Sequence, residues 1–162
     1  MNRLDIWKQH EPMTLRPMLS MFMSRVPSWP WRQAAVFVSL AIPIADDMTE
    51  SILQLSADLI AMTPSVSRSL DKFKLPHLKA VVFWGEEARE DDMTSWKSSM
   101  RVIHTYGPAE CTPTSTINCD SESQYPSSIG RGTGIVTWVV DINTGLPLMP
   151  IGSLGELVLE GP

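Results

Sequence analysis

Two short segments of the sequence carry the side chains best suited to chemistry. Gly85–Glu87 directly follows an apolar run, where a glycine permits close approach of a ligand and adjacent carboxylates suit Mg²⁺ or a ligand hydroxyl. His104–Glu110 reads HTYGPAE and combines an aromatic face for a base with a carboxylate about one turn further on. Each segment also has a purely structural interpretation. The first is then a polar loop before a helix, and the second is a turn with a packed tyrosine.

The elements that position these segments alternate between strands and helices. Capping signals predict helices at Asp47 with Glu50, at Thr63-Pro64, and at Asp91 or Asp92. Such an order predicts an α/β fold with a mostly parallel sheet and flanking helices, in which ligands bind beyond the carboxyl ends of the strands. The apolar runs that predict strands are Ala35–Ile42, Leu59–Met62, Ala80–Trp84 and Arg101–Tyr106.

The pattern changes along the chain and predicts three parts. Apolar residues at helical spacing from Leu15 to Val26 predict a helix within an N-terminal segment, residues 1–35. An α/β part follows over 36–117, and the last part, 118–162, is predicted all-β, with strands at Ile135–Val140 and Gly155–Leu159 around an Asn143–Gly145 turn. Because the chain stops directly after a strand, we expect it to be a fragment of a longer protein.

Composition excludes several classes of function. The chain has 162 residues, a formal net charge of -5 and no basic stripe, so nucleic acid is not expected as a partner. Charged residues and prolines interrupt every apolar stretch before it reaches the roughly 20 residues that span a bilayer, so no membrane association is expected. Cys111 and Cys119 lack metal-ligand spacing and no clear secretory signal is present, which predicts a reduced, cytoplasmic setting.

Tyr106–Glu110 (YGPAE) resembles the YGPTE motif of adenylate-forming, AMP-dependent synthetases and ligases. The order of motifs resembles the adenylation domain of fungal nonribosomal peptide synthetases over about residues 36–162. The resemblance implies a fragment of the large N-terminal domain of such an enzyme, in which β-strands of a distorted barrel follow the parallel sheet. The other matches, in order, are Thr63–Ser65, Gly85-Glu86, Trp96, Ile129–Gly132 and Gly155–Leu157.

The resemblance implies activation of an amino acid with MgATP to an aminoacyl adenylate, followed by loading onto a peptidyl carrier domain. ATP and Mg²⁺ are the implied cofactors, and Glu110 is the implied metal ligand. The implied nucleotide-binding residues are Gly85, Glu86, His104, Thr105, Tyr106, Gly107 and Ala109. The implied amino-acid pocket consists of Ala61, Val82, Trp84, Thr105, Pro113 and Thr114.

Several departures from the family pattern limit what the chain is expected to do alone. Ala109 lacks the usual threonine hydroxyl, His104 replaces an asparagine, and Trp84 stands where a small glycine is typical, so the pocket is filled in part or limited to small substrates. No phosphate loop with its lysine occurs and the amino-acid-anchoring aspartate is missing, while the ribose-binding aspartate and catalytic lysine belong beyond residue 162. We therefore assign no catalytic residue. Two alternatives stay open, a non-catalytic nucleotide- or partner-binding module and a fragment of an acyl-CoA synthetase-like ligase.

Overall fold

A computed structural model describes residues 46–111, 114–119, 128–144 and 148–161 of the chain. The predicted helix from Leu15 to Val26 and the predicted strand Ala35–Ile42 lie outside these residues, as does the predicted pocket residue Pro113. Within the described ranges, no helix is long and apolar enough to cross a bilayer.

A five-stranded sheet organises the first part of the described chain, in the spatial order β1-β2-β3-β4-β5. The first three strands are parallel, and β4 and β5 extend the sheet in antiparallel pairing. The strands are β1 (Leu59–Met62), β2 (Ala80–Phe83), β3 (Arg101–Tyr106), β4 (Thr116–Asn118) and β5 (Arg131–Gly132). The predicted α/β class with flanking helices is confirmed, and the strands predicted from apolar runs at β1, β2 and β3 form the parallel part of the sheet.

Three helices flank this sheet: α1 (Asp46–Leu55), α2 (Pro64–Ser67) and α3 (Glu90–Lys97). Thr63 is the N-cap of α2 as predicted, with its hydroxyl oxygen accepting from Val66 N at 3.5 Å. Two other capping predictions are wrong. Asp47 lies inside α1. Arg89 occupies the N-cap position of α3 without a capping hydrogen bond from its side chain, and Asp92 lies in the first turn, where it accepts the Arg89 backbone N–H at 3.0 Å.

One face of the parallel strands forms the hydrophobic core. Alternation along each strand sends every second side chain to this face, where Phe83 is fully buried and meets the Trp96 ring edge-to-face at 6.4 Å between centroids. Apolar burial of this kind is the main stabilising term for the sheet and its helices. The core comprises Met48, Ile52, Ala57, Ile60, Met62, Leu70, Leu75, Leu78, Val81, Phe83, Ala88, Met93, Trp96 and Val102.

A second, two-stranded antiparallel sheet pairs β6 (Val136–Val140) with β7 (Glu156–Glu160). Both strands lie within one residue of their predicted positions. Trp138 Nε1 donates to the Glu160 carboxylate at 2.7 Å across the pair. The described chain after residue 112 contains no α-helix, in agreement with the predicted all-β character of this part.

Polar side chains on β3 and β4 form hydrogen bonds to the turn before β5. His104 on β3 and Asn118 on β4 are opposite each other, and both contact the Ser128 carbonyl oxygen, at 3.2 Å from His104 Nδ1 and 2.8 Å from Asn118 Nδ2. A carbonyl only accepts, so the contact requires the His104 proton on Nδ1. Burial of the ring lowers the pKa of His104, and the Ser128 contact opposes that shift only in part.

Gly130 permits a very close approach of two backbone segments. Its φ is +81°, and a Cβ built there falls 2.0 Å from the Ile117 carbonyl oxygen. No side chain larger than hydrogen fits at that distance, so only glycine allows this turn to lead into β5.

We therefore expect Gly130→Ala to lower the free energy of unfolding by about 2 kcal/mol or more, because backbone strain and a backbone clash add together. Gly152→Ala is the matched control. Its φ is +88° but nothing lies within 4 Å of the added carbon, so only the strain of about 1 kcal/mol remains. Urea unfolding of both variants measures the difference, and equal losses would contradict a clash at Gly130.

Stability is also expected to fall as the pH drops below about 6.5, the ordinary pKa of histidine. Because burial holds the folded-state pKa of His104 below this value, the unfolded chain takes up a proton first and is stabilised relative to the folded chain. Denaturant midpoints at pH 7.5 and pH 5.5 measure the effect. We expect His104→Asn to reduce this pH dependence, whereas substituting the exposed His77 by Asn leaves it in place. An unchanged dependence in His104→Asn would show that His104 is not its source.

Candidate functional site

The carboxyl ends of the three parallel strands meet at one edge of the sheet. The register pairs Ala61 with Val82 and Val82 with Ile103, so β1, β2 and β3 end side by side. The predicted chemical segments Gly85–Glu87 and Tyr106–Glu110 both begin at this edge. The parallel pairing thereby brings together segments that lie about twenty residues apart in sequence.

Glu86 links the turn after β2 to the start of α2, which follows β1. Its carboxylate accepts the Ser65 backbone N–H at 3.1 Å and also the Ser65 hydroxyl, in the first turn of α2. These two hydrogen bonds stabilise the ionised carboxylate and lower the pKa of Glu86. The Thr63–Ser65 and Gly85-Glu86 motifs, which the sequence presents separately, therefore form one hydrogen-bonded unit.

An ion pair between the exposed Arg68, at the end of α2, and the buried Asp92 of α3 joins these two helices. The Arg68 guanidinium donates from Nε and Nη2 to the two carboxylate oxygens of Asp92, each at 2.7 Å. Asp92 is only 5% exposed, and hydrogen bonding by Arg68 outweighs burial, so the pKa of Asp92 is lowered. Since Ser65 and Arg68 belong to the same short segment, this pair also fixes the position from which Ser65 holds Glu86.

The residues predicted to form the substrate pocket share one face of the sheet. Ala61, Val82 and Thr105 alternate with the core residues, so they lie on the face opposite Phe83. Trp84 continues β2 on this same face, because its backbone N–H still donates to the Met62 carbonyl at 3.3 Å. Thr105 is buried and its hydroxyl donates to the Phe83 carbonyl at 3.2 Å. Thr114, after the Tyr106–Glu110 loop, is also buried.

His104 is separated from the other predicted nucleotide-binding residues. As the neighbour of Thr105 on a strand, it lies on the opposite face, where it is 3% exposed and contacts Ser128. Its described role is therefore to join β3 to the turn before β5. Any contact between His104 and a ligand at the strand edge remains a prediction.

The end of β3 and the loop after it present an exposed aromatic ring and a carboxylate. Tyr106 is 40% exposed, and its carbonyl accepts the Ser115 backbone N–H at 2.8 Å, which anchors the return of the chain. Ala109–Cys111 forms a short 3-10 helix that the sequence pattern did not predict, and it leaves Glu110 exposed. Gly85, with φ +75°, makes the corresponding turn after β2.

No group of three or more His, Cys, Asp or Glu side chains within the described ranges is arranged to hold a metal ion. Mg²⁺ in nucleotide sites is held by one or two carboxylates together with water and substrate phosphates. Glu110 fits that requirement as a single exposed carboxylate, whereas the Glu86 carboxylate is already engaged by Ser65.

Sequence reasoning missed the side chains that support the site. Ser65 was noted only as part of a motif, and the Arg68–Asp92 pair joins residues far apart in the sequence. A basic residue after the Thr63-Pro64 cap and an acid in the first turn of α3 are the available signals. Their pairing required knowledge of how the two helices pack.

Comparison with known proteins identifies the family of the chain. The family model described as AMP-binding enzyme matches residues 21–162, and so begins within the segment that the sequence resemblance leaves unmatched. Peramine synthetase A of Epichloe festucae (strain Fl1) is 43% identical over 118 residues, which are 72% of this chain and 4% of that protein. Nonribosomal peptide synthetase dtxS1 of Metarhizium robertsii is 45% identical over 118 residues, 72% of this chain and 2% of that protein.

Solved structures agree in fold. The anthranilate CoA ligase AuaEII, in complex with anthranoyl-AMP, superposes with a TM-score of 0.63 at 20% identity, covering 73% of this chain and 24% of that chain. The present chain thus corresponds to a small part of each of these relatives. The match over residues 21–162, the identity to two fungal synthetases and the shared sheet together show that this chain belongs to the AMP-binding enzyme family.

Proposed function

We propose that this chain forms part of the adenylation domain of a fungal nonribosomal peptide synthetase that works in the cytoplasm. Such a domain activates an amino acid with ATP to an aminoacyl adenylate and passes the acyl group to the thiol of a peptidyl carrier domain. One observation carries the proposal. The carboxyl ends of β1, β2 and β3 gather the Gly85-Glu86 turn, the Tyr106 ring and the Glu110 carboxylate at one sheet edge.

In this proposal the nucleotide binds across the ends of β2 and β3. The exposed ring of Tyr106 stacks on the adenine base, while the positive φ of Gly85 allows the backbone to approach the ligand. The hydrogen bonds between Glu86 and Ser65 keep the Gly85 turn in place. Thr105, Gly107 and Ala109 complete the proposed nucleotide contacts, and we assign His104 an indirect contribution through the turn at Ser128.

Glu110 is the proposed ligand of the Mg²⁺ that accompanies ATP. The ion supplies charge stabilisation for phosphate oxygens. Glu110 lies in the 3-10 helix Ala109–Cys111, four residues after Tyr106 in the sequence. One short segment would therefore bind both the adenine base and the metal ion. The Cys111 backbone N–H donates to the Pro108 carbonyl at 3.1 Å and fixes this loop.

The amino acid is proposed to bind on the face formed by Ala61, Val82 and Trp84, with Thr105 and Thr114 beside it and Pro113 between them in sequence. No phosphate loop with a lysine occurs in these 162 residues. Negative charge that develops on the phosphate oxygens requires a positive charge such as that of a lysine. In the proposed synthetase, residues other than these 162 supply that lysine. This chain then supplies the residues that bind the adenine base and the metal ion, together with the walls of the amino-acid pocket.

The identity to curated relatives favours peptide synthesis over acyl-CoA formation. The anthranilate CoA ligase AuaEII shares the fold at 20% sequence identity, and this level of similarity supports a common fold but not a common function. The fungal synthetases share 43% and 45% identity over 118 residues. A fragment of an acyl-CoA synthetase-like ligase therefore remains the alternative to the proposed function.

Removing the Tyr106 ring is expected to weaken ATP binding by at least about fivefold, because stacking of a base on an aromatic ring contributes about 1 to 3 kcal/mol. Calorimetric titration of the 162-residue chain with MgATP, for Tyr106→Ala against the unsubstituted chain, measures the change. Phe73→Ala is the matched control, because Phe73 is 84% exposed and lies outside the proposed site. Equal affinities of Tyr106→Ala and the unsubstituted chain would refute nucleotide stacking.

Neutralising Glu110 is expected to reduce the gain in ATP affinity that Mg²⁺ provides. In Glu110→Gln the side chain keeps its size but loses the charge that binds a hard cation, so ATP binding with and without Mg²⁺ becomes more alike. The ratio of the two dissociation constants is the measurement. Glu87→Gln serves as the control because Glu87 is also exposed but belongs to the other loop. A ratio that changes equally in both variants would contradict the assignment.

A further inference from the structure

The short helix α2 depends on other elements for its position. It has four residues, Pro64–Ser67, and a single helical turn makes too few hydrogen bonds to be stable by itself. Ser65 near its start holds the Glu86 carboxylate, and Arg68 forms its C-cap. A displacement of Arg68 therefore also displaces Ser65, and with it the hydrogen bonds to the residue that follows Gly85.

Apolar packing between α2 and α3 is incomplete. A cavity of about 200 Å³ lies beside the two helices, and Arg68, Asp92 and Trp96 are among the residues that line it. Beside this cavity, Arg68 donates its two hydrogen bonds of 2.7 Å to Asp92. Asp92 is well anchored, because it belongs to the helix whose Met93 and Trp96 are buried in the core. The ion pair thus fixes a contact that packing alone leaves loose.

The charge of Arg68 also acts on Glu86, but less strongly than Ser65 does. Hydrogen bonds from Ser65 are the largest cause of the lowered pKa of Glu86, and the guanidinium adds to them through space. Because Arg68 and Glu86 are both exposed, water and salt screen this attraction. The contacts through Ser65 therefore carry most of the connection between the ion pair and the Gly85 turn.

We propose that Arg68 and Asp92 are positioning residues for nucleotide binding. Through α2 they hold Ser65, and Ser65 in turn keeps Glu86 and the Gly85 turn in the conformation that binds ATP. This inference rests on the proposed function, because it assigns remote support to the same nucleotide site. The ion pair changes nucleotide affinity by way of Glu86 and makes no contact with the nucleotide itself.

The test removes the ion pair without leaving a buried charge. Arg68→Met with Asp92→Asn neutralises both members, and asparagine keeps a carbonyl oxygen for the Arg89 backbone N–H, so we expect this variant to fold. The matched control is Lys79→Met with Asp58→Asn. That ion pair, at 2.8 Å, directly precedes β2 and β1 at the opposite edge of the sheet, and its removal likewise leaves the net charge unchanged.

Calorimetric titration with MgATP compares both variants with the unsubstituted 162-residue chain. We expect the Arg68–Asp92 variant to bind about fivefold more weakly, which is within the range by which residues outside a site modulate binding. The Lys79–Asp58 variant is expected to bind as the unsubstituted chain does. Equal affinities of the two variants would overturn the inference.

A double-mutant cycle distinguishes positioning from a general loss of structure. Glu86→Ala removes the acceptor through which α2 reaches the Gly85 turn. In that background, neutralising Arg68 and Asp92 is expected to weaken MgATP binding by less than about twofold, because the connection is already interrupted. A structural defect elsewhere would have the same effect in both backgrounds, and that result would overturn the inference.

A spectroscopic measurement observes the turn without any nucleotide. Gly85 is the one glycine of the sequence that follows a tryptophan, so ¹³C-carbonyl tryptophan combined with ¹⁵N-glycine identifies its amide resonance. We expect this resonance to shift in the Arg68–Asp92 variant and to stay in place in the Lys79–Asp58 variant. An unchanged Gly85 resonance in the Arg68–Asp92 variant would overturn the inference.

The outcomes separate this inference from the function on which it rests. If Tyr106→Ala weakens MgATP binding but the Arg68–Asp92 variant keeps full affinity, the inference is overturned while the nucleotide site stands. If the unsubstituted chain does not bind MgATP and its Gly85 resonance does not move when MgATP is added, the proposed nucleotide site is contradicted, and the inference with it.

Discussion

The parallel register of β1, β2 and β3 is the constraint on which the candidate site depends. Because each strand begins after a helix or turn on the same side, all three end at one edge, and every loop that follows starts from that edge. A slip of one residue in β2 would exchange Val82 for Phe83 on the pocket face and remove Phe83 from its contact with Trp96. Burial of Phe83 against Trp96 therefore also selects the pocket face.

Polar interactions, by contrast, set the positions of the loops. The Glu86 carboxylate joins the turn after β2 to the first turn of α2, and the Arg68–Asp92 pair joins α2 to α3. The two contacts form a continuous path from one strand end to the helix that packs on the core. Removing Arg68 would leave the buried Asp92 carboxylate with the Arg89 backbone N–H as its remaining described donor, whereas removing Asp92 would leave a guanidinium that is already 41% exposed to water.

These two kinds of interaction explain what the sequence could predict. The strands β1, β2 and β3 are continuous apolar runs between turn signals, so local pattern suffices to find them. The strands β4 and β5 were not assigned individually, because the buried side chains of β4 are polar: Thr116 donates to the Ile129 carbonyl at 2.7 Å and Asn118 donates to Ser128. A polar strand becomes recognisable only when its partners are known, and here they lie ten or more residues away.

The same limit applies to the site. Tyr106, Glu110 and Gly85 were found because their residue types are unusual at strand ends, whereas the separation of His104 from Thr105 follows only once β3 is seen to be a regular strand. Alternation then sends the imidazole to the Ser128 turn and the threonine to the pocket face. In the motif, His104 belongs with Tyr106, but in the fold its side chain contacts the turn at Ser128 on the other face of the sheet.

Trp84 shows why a departure from a family pattern carries physical information. Where the resemblance implies a small glycine, this chain has both volume and a donor that finds no acceptor among the described residues. Volume alone would be supplied more favourably by phenylalanine, because a ring without an N–H leaves no polar atom unpaired on burial. The unpaired Nε1–H of Trp84 therefore costs the folded chain free energy that a phenylalanine at this position would not cost.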